Sequence, residues 1–343
     1  MKEEAAPASP DSKEVASGVI RVQLPINFTG LGHTNMYVLE DDRGAAVIDT
    51  GLPGRAAWAA IRRGLDAAGV PIARVHTIMV THSHPDHFGN AARLAAESGA
   101  ELLTHKSFQI WWTLDNHSEI DEDELARHAE ARAGRMPWHG ASQRRSAGAR
   151  ARGWWMRNVG HRMYRIPTPT RRLIDGEELQ LGRRTLQAVH TPGHTADHLC
   201  WFDPESGVLF SGDHVLPTIT PHIAGIGAGA DPLADYVASL DKAVALPGVG
   251  LVLPAHGDPI VDLARRAASI KHHHEERLDQ LRQIVATSGP MSVEILAEEL
   301  FPKRSWGFMA ESETFAHIEH LRFLGEVDRA TVDGRVVFGA THH

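Results

Sequence analysis

The chain has 343 residues, 42% hydrophobic and 23% charged, a globular composition with room for one large domain and a small one. A formal net charge of −8 matches neither nucleic acid nor an anionic membrane surface, and a single cysteine, Cys200, excludes an intrachain disulfide and a cysteine-built zinc finger. No apolar run reaches the ~18–20 residues that span a bilayer. Residues 1–17, rich in Ala, Pro, Ser, Lys and Glu, read as a disordered tail and not a signal peptide, so the expected location is the cytoplasm. The unusual count is 23 histidines.

Val19–Phe28 has the alternation of a strand. A Gly-rich turn over 29–33 leads to a second strand at Met36–Leu39, and Asp41-Asp42-Arg43-Gly44 turns into a third at Ala45–Ile48. Over Arg55–Gly69, Trp58, Ile61 and Leu65 recur at helical spacing and Gly69 is the stop. Val75–Val80 is a short apolar strand, followed by a His-rich loop and a helix over Asn90–Ser98. Residues 106–172 differ: they hold Trp111, Trp112, Trp138, Trp154 and Trp155, and 131–172 contains eleven Arg and no acidic residue. This segment reads as a helical insertion. Strand-like runs return at Leu186–His190, Leu199–Phe202, Val208–Ser211 and Gly250–Leu253, with a helix over Asp235–Ala245. Helices then follow over Ile260–Ala286, Ser292–Leu300 and Glu313–Leu324. A hairpin of Val327–Thr331 and Arg335–Phe338 around Asp333-Gly334 closes the chain. The expected fold class is α/β, a layered sandwich over 18–258 with the insertion at about 106–172, and a small winged-helix-like domain over 259–343.

The chemistry concentrates in Thr81-His82-Ser83-His84-Pro85-Asp86-His87. Three imidazoles and a carboxylate fall within six residues, directly after a buried-type strand. His82 and His84 are two apart, so extended backbone points both to one side. Asp86 and His87, beyond Pro85, face the same space from another direction. Such donors suit zinc, and also iron, manganese or cobalt. His194 in Thr191-Pro192-Gly193-His194, Asp213 in Ser211-Gly212-Asp213 and His256 in Pro254-Ala255-His256 each follow an apolar strand beside Gly or Pro. Loops at one edge of a sandwich can converge, and five His with two Asp are enough for two metals.

This order of residues resembles the metallo-β-lactamase superfamily over about residues 19–258, interrupted by 106–172, and Asp49-Thr50-Gly51 resembles that family's early motif. The resemblance implies an αββα sandwich. It implies one metal on His82, His84 and His194, a second on Asp86, His87 and His256, and Asp213 bridging them. The expected cofactors are two divalent ions, zinc before iron or manganese. Redox members place Glu where this chain has His84, which favours a hydrolase, and the best-known antibiotic-hydrolysing members place Cys where Asp213 stands. Phe88-Gly89-Asn90 departs from the two glycines of many relatives, which alters the substrate wall. The C-terminal region resembles the winged helix of the lactamase-beta-2-like branch, and His272-His273-His274 with Arg277 resembles its His-rich segment.

The expected function is hydrolysis of a small ester, thioester (acyl-CoA included) or lactone. Two metals lower the pKa of a shared water so that hydroxide attacks the carbonyl, with Asp86 and Asp213 as the catalytic carboxylates. Cys200, in a predicted buried strand, reads as a core residue. His33, His198 and His214 are expected as substrate or supporting groups, Arg144, Arg145 and Trp154 as a lid over an anionic acyl substrate, and His273 as a contact from the second domain. The alternative is a metal-dependent single-strand endoribonuclease or nuclease, acting on RNA or DNA. Residues 259–343 hold ten Lys plus Arg against thirteen Asp plus Glu, which counts against a nucleic-acid partner and favours homodimerisation or shaping of the pocket.

Overall fold

The computed structural model describes residues 2–28, 30–110, 126, 129–130, 136–139 and 166–341. Most of the expected helical insertion lies outside these residues, including Arg144, Arg145 and Trp154. A seven-stranded sheet runs in chain order: β1 (Lys13–Ala16), β2 (Val19–Phe28), β3 (Leu31–Asp41), β4 (Gly44–Ile48), β5 (Val75–Met79), β6 (Glu101–His105) and β7 (Arg171–Leu173). Its first half is antiparallel and its second half, from β4 to β7, is parallel. The second sheet holds β8 (Glu178–Leu181), β9 (Arg184–His190), β10 (Leu199–Asp203), β11 (Val208–Gly212) and β12 (Leu251–Pro254) in the order β12-β11-β10-β9-β8.

The period-two alternation of strand side chains builds the layers. Tyr37, Leu39, Ala46 and Ile48 from the first sheet meet Leu199, Trp201, Phe210 and Leu253 from the second in the middle of the sandwich. Their neighbours Met36, Val38, Ala45 and Val47 face the opposite way. They pack under α1 (Arg55–Ala67) and α3 (Ala91–Ser98) through Trp58, Ile61, Leu65 and Leu94. On the far side of the second sheet, Cys200, Phe202, Leu209 and Val252 pack against α4 (Pro232–Val244) and α5 (Leu263–Ser288). This is an αββα sandwich. The helix starts are locally encoded: Asp231 caps α4 by accepting the Ala234 N–H (3.1 Å), and Asp262 caps α5 by accepting that of Arg265 (2.9 Å).

The C-terminal part follows the expected order, with α6 (Val293–Leu300), α7 (Phe308–Phe323) and a hairpin of β13 (Val327–Val332) and β14 (Arg335–Ala340). It does not own a separate core. Leu278, Leu281, Phe315, Leu321 and Phe338 belong to the same buried cluster as Phe202, Leu209 and Val252 of the second sheet. Among the described residues, no helix is long and apolar enough to cross a membrane.

One expectation is corrected. Residues 2–17 are not a disordered tail. Glu3–Ala5 form a 3-10 turn, Lys13–Ala16 pair with β2, and the Glu4 side chain is fully buried. Its carboxylate accepts the backbone N–H groups of Thr218 (2.7 Å) and Ile219 (3.0 Å) and the Thr218 hydroxyl. These partners lie more than two hundred residues away in the chain, so nothing local marks Glu4 as ordered. The segment expected as an insertion leaves the first sheet after β6 and returns to it at β7, which pair through Leu103–Arg171 and His105–Leu173.

Burial pushes the Glu4 carboxyl up, but its hydrogen bonds outweigh this and hold it below the usual glutamate range. Its contribution is therefore present above the unfolded-state pKa and lost as pH falls through the lower folded-state value. Glu4→Ala is expected to cost about 1–3 kcal/mol at neutral pH, with the gap to wild type closing in acid. Thermal unfolding across pH checks both.

Candidate metal centre

The loops that follow β4, β5, β9, β11 and β12 carry Asp49, His82–His87, His194, Asp213 and His256. Hydrogen bonds between the sheets hold this edge together. Tyr37 Oη and Asn35 Nδ2 both donate to Pro254 O (2.7 and 2.8 Å), and the Leu199 N–H donates to Thr81 O (2.8 Å). Pro85 opens a short helix, α2 (Pro85–Phe88), which turns Asp86 and His87 back toward the His82–His84 bend.

Two donor groups form there. His82, His84, His194 and Asp213 make one, and Asp86, His87 and His256 make the other. Within each group the ligand atoms lie within 4.8 Å of one another. His84 Nδ1 is 2.9 Å from His82 Nε2 and 3.0 Å from His194 Nε2. Asp213 stands between the groups. Its Oδ2 is 3.5 Å from both His194 Nε2 and His87 Nε2, and its Oδ1 is 3.2 Å from His256 Nε2. Asp86 Oδ2 is 3.6 Å from His87 Nε2 and from His256 Nε2.

The residues fit divalent cations on two grounds. First, His87 Nε2, His256 Nε2 and Asp213 Oδ1 are buried without a hydrogen-bond partner among the described residues, although buried polar atoms normally have one. Second, the far nitrogen of three rings is committed to an acceptor. His194 Nδ1 donates to His222 O (2.7 Å), His256 Nδ1 to His33 O (2.6 Å) and His87 Nδ1 to the Asp49 carboxylate (2.7 Å). That fixes the tautomer and leaves each Nε2 lone pair facing the centre.

The electrostatics agree. Burial, reinforced by neighbouring imidazoles, holds His82 and His84 well below the ordinary histidine range, and burial also lowers His194. Burial likewise pushes His87 and His256 down, but the Asp213 and Asp86 carboxylates outweigh it and raise both. Burial pushes Asp213 up, and His256 and His87 outweigh that, holding it well below the carboxylate range. His87 and His256, the two raised imidazoles, would give up a proton on metal binding.

All seven sequence-predicted ligands are thus brought together. The other predicted contacts take different places. His33 is buried, with Nδ1 on Ala6 O (2.8 Å) and Nε2 accepting the Gly257 N–H (3.1 Å), so it braces His256. His198 is buried and its Nε2 accepts the Asp213 N–H (3.1 Å). His214 is buried against Tyr236, with ring centroids 5.2 Å apart, and burial takes it down to about 3. All three rings are buried, and His33 and His198 take the supporting role that the sequence left open beside substrate contact. His273 lies on α5, half-buried, beside Arg277. Sequence reasoning noted Asp49 only as a motif match and missed His222 and Glu313. Asp49 has a left-handed backbone (φ 58°) and also accepts the Thr81 N–H (2.9 Å), so it holds the His82 and His87 loop in place. Gly212 precedes Asp213 at φ 53°, where a Cβ would stand 2.7 Å from His198 Nε2.

Residues 29–256 match the profile of the Metallo-beta-lactamase superfamily. The chain belongs to this family. It is 35% identical over 118 residues to the Lactamase-like protein aptB of Emericella nidulans, covering 34% of this chain and 35% of that one. It is 26% identical over 339 residues to the Atrochrysone carboxyl ACP thioesterase of Passalora fulva, covering 97% and 81%. The chain spans between 35% and 57% of the length of the first fungal lactamase-like relatives it matches. Among solved structures, a metallo-beta-lactamase family protein of Thermus thermophilus superposes with a TM-score of 0.74 at 28% identity, covering 96% of this chain and 100% of that one. A beta-lactamase domain protein of Burkholderia ambifaria reaches 0.76 at 28% identity, covering 97% and 96%. These likenesses therefore extend beyond residue 256 into the C-terminal helices. The family fold and the His/Asp cluster together point to divalent metal binding.

Asp49→Asn removes the charge behind His87 while keeping the side-chain shape. It is expected to weaken metal binding about 10–100-fold, measured by competition with a chromogenic chelator.

Proposed function

We propose that this chain is a dinuclear metal-dependent hydrolase of a small acyl substrate, with a thioester favoured over an ester or lactone. One observation carries the reading: two donor groups share the buried Asp213 carboxylate. His82, His84 and His194 would hold one cation and Asp86, His87 and His256 the other. When bound, such a pair supplies a water acidic enough to serve as nucleophile near neutral pH and a Lewis acid for the carbonyl oxygen. Zinc suits these donors best, with iron and manganese acceptable to the same set.

The remaining steps belong to the chain. Asp86 is the more exposed of the two central carboxylates, at 19% against 10% for Asp213. It is the group placed to take a proton from the nucleophile on the open side. His198 holds the Asp213 backbone, and His222 holds the His194 ring. Cys200 takes no part as nucleophile, since it is buried, packs in the core and has its thiol pushed up to about 12 by burial. The thioester preference is supported by the relative of Passalora fulva, named as an ACP thioesterase.

We read residues 259–343 as a winged-helix-like unit that shapes the pocket and does not read nucleic acid. In α7, the third helix of that unit, Ser312, Thr314, Phe315, Ala316, His317, Ile318 and Glu319 are consecutive or nearly so and all buried. A recognition helix needs a free, basic face. The proposed partner is accordingly a small anionic acyl compound, and the proposed location the cytoplasm.

Elemental analysis is expected to find about two metals per chain, and Asp213→Ala to lose at least one. The same variant should lower thioester turnover at least a hundredfold when acyl-CoA, S-acylglutathione, a lactone, a chromogenic β-lactam and a single-stranded RNA are assayed side by side. Cleavage of the RNA with no carbonyl substrate turned over would replace the acyl hydrolase with a nuclease.

A further inference from the structure

A cavity of about 430 Å³ lies between the N-terminal turn, the loop at 218–220, α5 and the start of α7. Its wall carries three cations, Lys2, Arg266 and Arg277, and two carboxylates, Glu276 and Glu313. Both carboxylates are engaged. Glu276 faces His272 Nε2 (3.4 Å), while Glu313 is bonded to His222 Nδ1 (3.1 Å) and lies 3.6 Å from Arg277 Nε. The guanidinium groups are less well matched. Arg266 donates to the backbone carbonyls of Leu216 (2.5 Å) and Ile219 (2.6 Å) and to Ser269 Oγ (3.4 Å), so among the described residues its hydrogen bonds include no carboxylate. Arg277 rests on the Phe301 ring (4.1 Å to its centroid) and reaches His273 Nε2 (3.3 Å), and its Nη1 is buried with no acceptor among the described residues.

The Lys2 ammonium and the part of the Arg277 side chain that stays accessible (18%) can each give an oxyanion in the cleft a charge-assisted hydrogen bond. Two planar guanidinium forks and an ammonium on one concave wall are an arrangement for phosphate or carboxylate. The cleft is also coupled to the metal centre through one residue, because His222 bonds Glu313 through its ring and His194 through its backbone oxygen.

We propose that this cleft is an anion subsite, which takes a phosphate or carboxylate carried by the acyl substrate, with Arg266 and Arg277 as its principal donors. The identity of the anion's carrier rests on the hydrolase reading above; the binding itself does not.

Isothermal titration of the full chain, metal-loaded and metal-stripped, with 3′,5′-ADP and with glutarate tests it. The two probes separate a phosphate on the leaving group from a carboxylate on the acyl group. At least one is expected to bind with or without metal. Arg277→Gln should weaken it at least tenfold, and so should Ser269→Glu, which places a carboxylate at an exposed position on the same wall. In the loaded enzyme, KM should rise for the thioester bearing the matching anion, and not for its uncharged N-acetylcysteamine counterpart. Should Arg277→Gln fail to fold, Ser269→Glu decides. If neither probe binds, or if both bind the folded variants as they bind wild type, the subsite is refuted even where thioesters are hydrolysed. Cleft-dependent anion binding without turnover of any carbonyl substrate would instead leave the subsite standing and overturn the acyl hydrolase.

Discussion

Asp213 is a buried carboxylate with imidazole nitrogens on several sides. Four histidine Nε2 atoms stand within 4 Å of its two oxygens. An isolated carboxylate in such a place would carry a large desolvation cost and take up a proton. Here the opposite holds, because the charge on Asp213 is matched by the groups around it. The edge of the sandwich is built to satisfy this one constraint. Gly212 lets the chain turn, His198 fixes the backbone N–H, and two sheets contribute the rings.

The second requirement is that those rings remain ligands. A buried imidazole free to choose its tautomer could turn a protonated nitrogen toward the centre and lose its ligand lone pair. The carbonyls of His33 and His222 and the carboxylate of Asp49 prevent this, since each can only accept, and each therefore fixes the proton on the far nitrogen. The N-terminal turn and the C-terminal helices enter at this level. Ala6 O holds His33, and Glu313 on α7 holds His222. Segments that look peripheral in the chain are in this way one residue removed from a ligand.

Much of this was legible in the residues. The His82–His87 run, the Gly- or Pro-flanked His194, Asp213 and His256, and the apolar strands before them are local patterns, and the structure draws those seven side chains into two groups. The layers were legible too, because strand alternation such as Tyr37 and Leu39 inward, Met36 and Val38 outward, is written at a period of two. For His33, His198 and His214 the sequence left substrate contact and support both open, because a ring's place in a loop does not say which side it takes; His33 and His198 brace His256 and Asp213. Glu4 was misread because an acidic residue in an Ala/Pro/Ser-rich stretch has the composition of a solvated tail, while its three donors come from residues 218 and 219.

The boundary between the two kinds of information is physical. By itself the sequence determined which donors exist, on which strands' ends they sit and which faces of those strands are apolar, since all of these depend on spacing along a chain of fixed geometry. Only the tertiary structure decided that Asp213 lies between two groups, that His33 and His222 act through their backbone oxygens, and that residues 259–343 share a core with the second sheet. Those outcomes depend on contacts between segments far apart in the chain, and no local pattern encodes which backbone carbonyl will meet which ring.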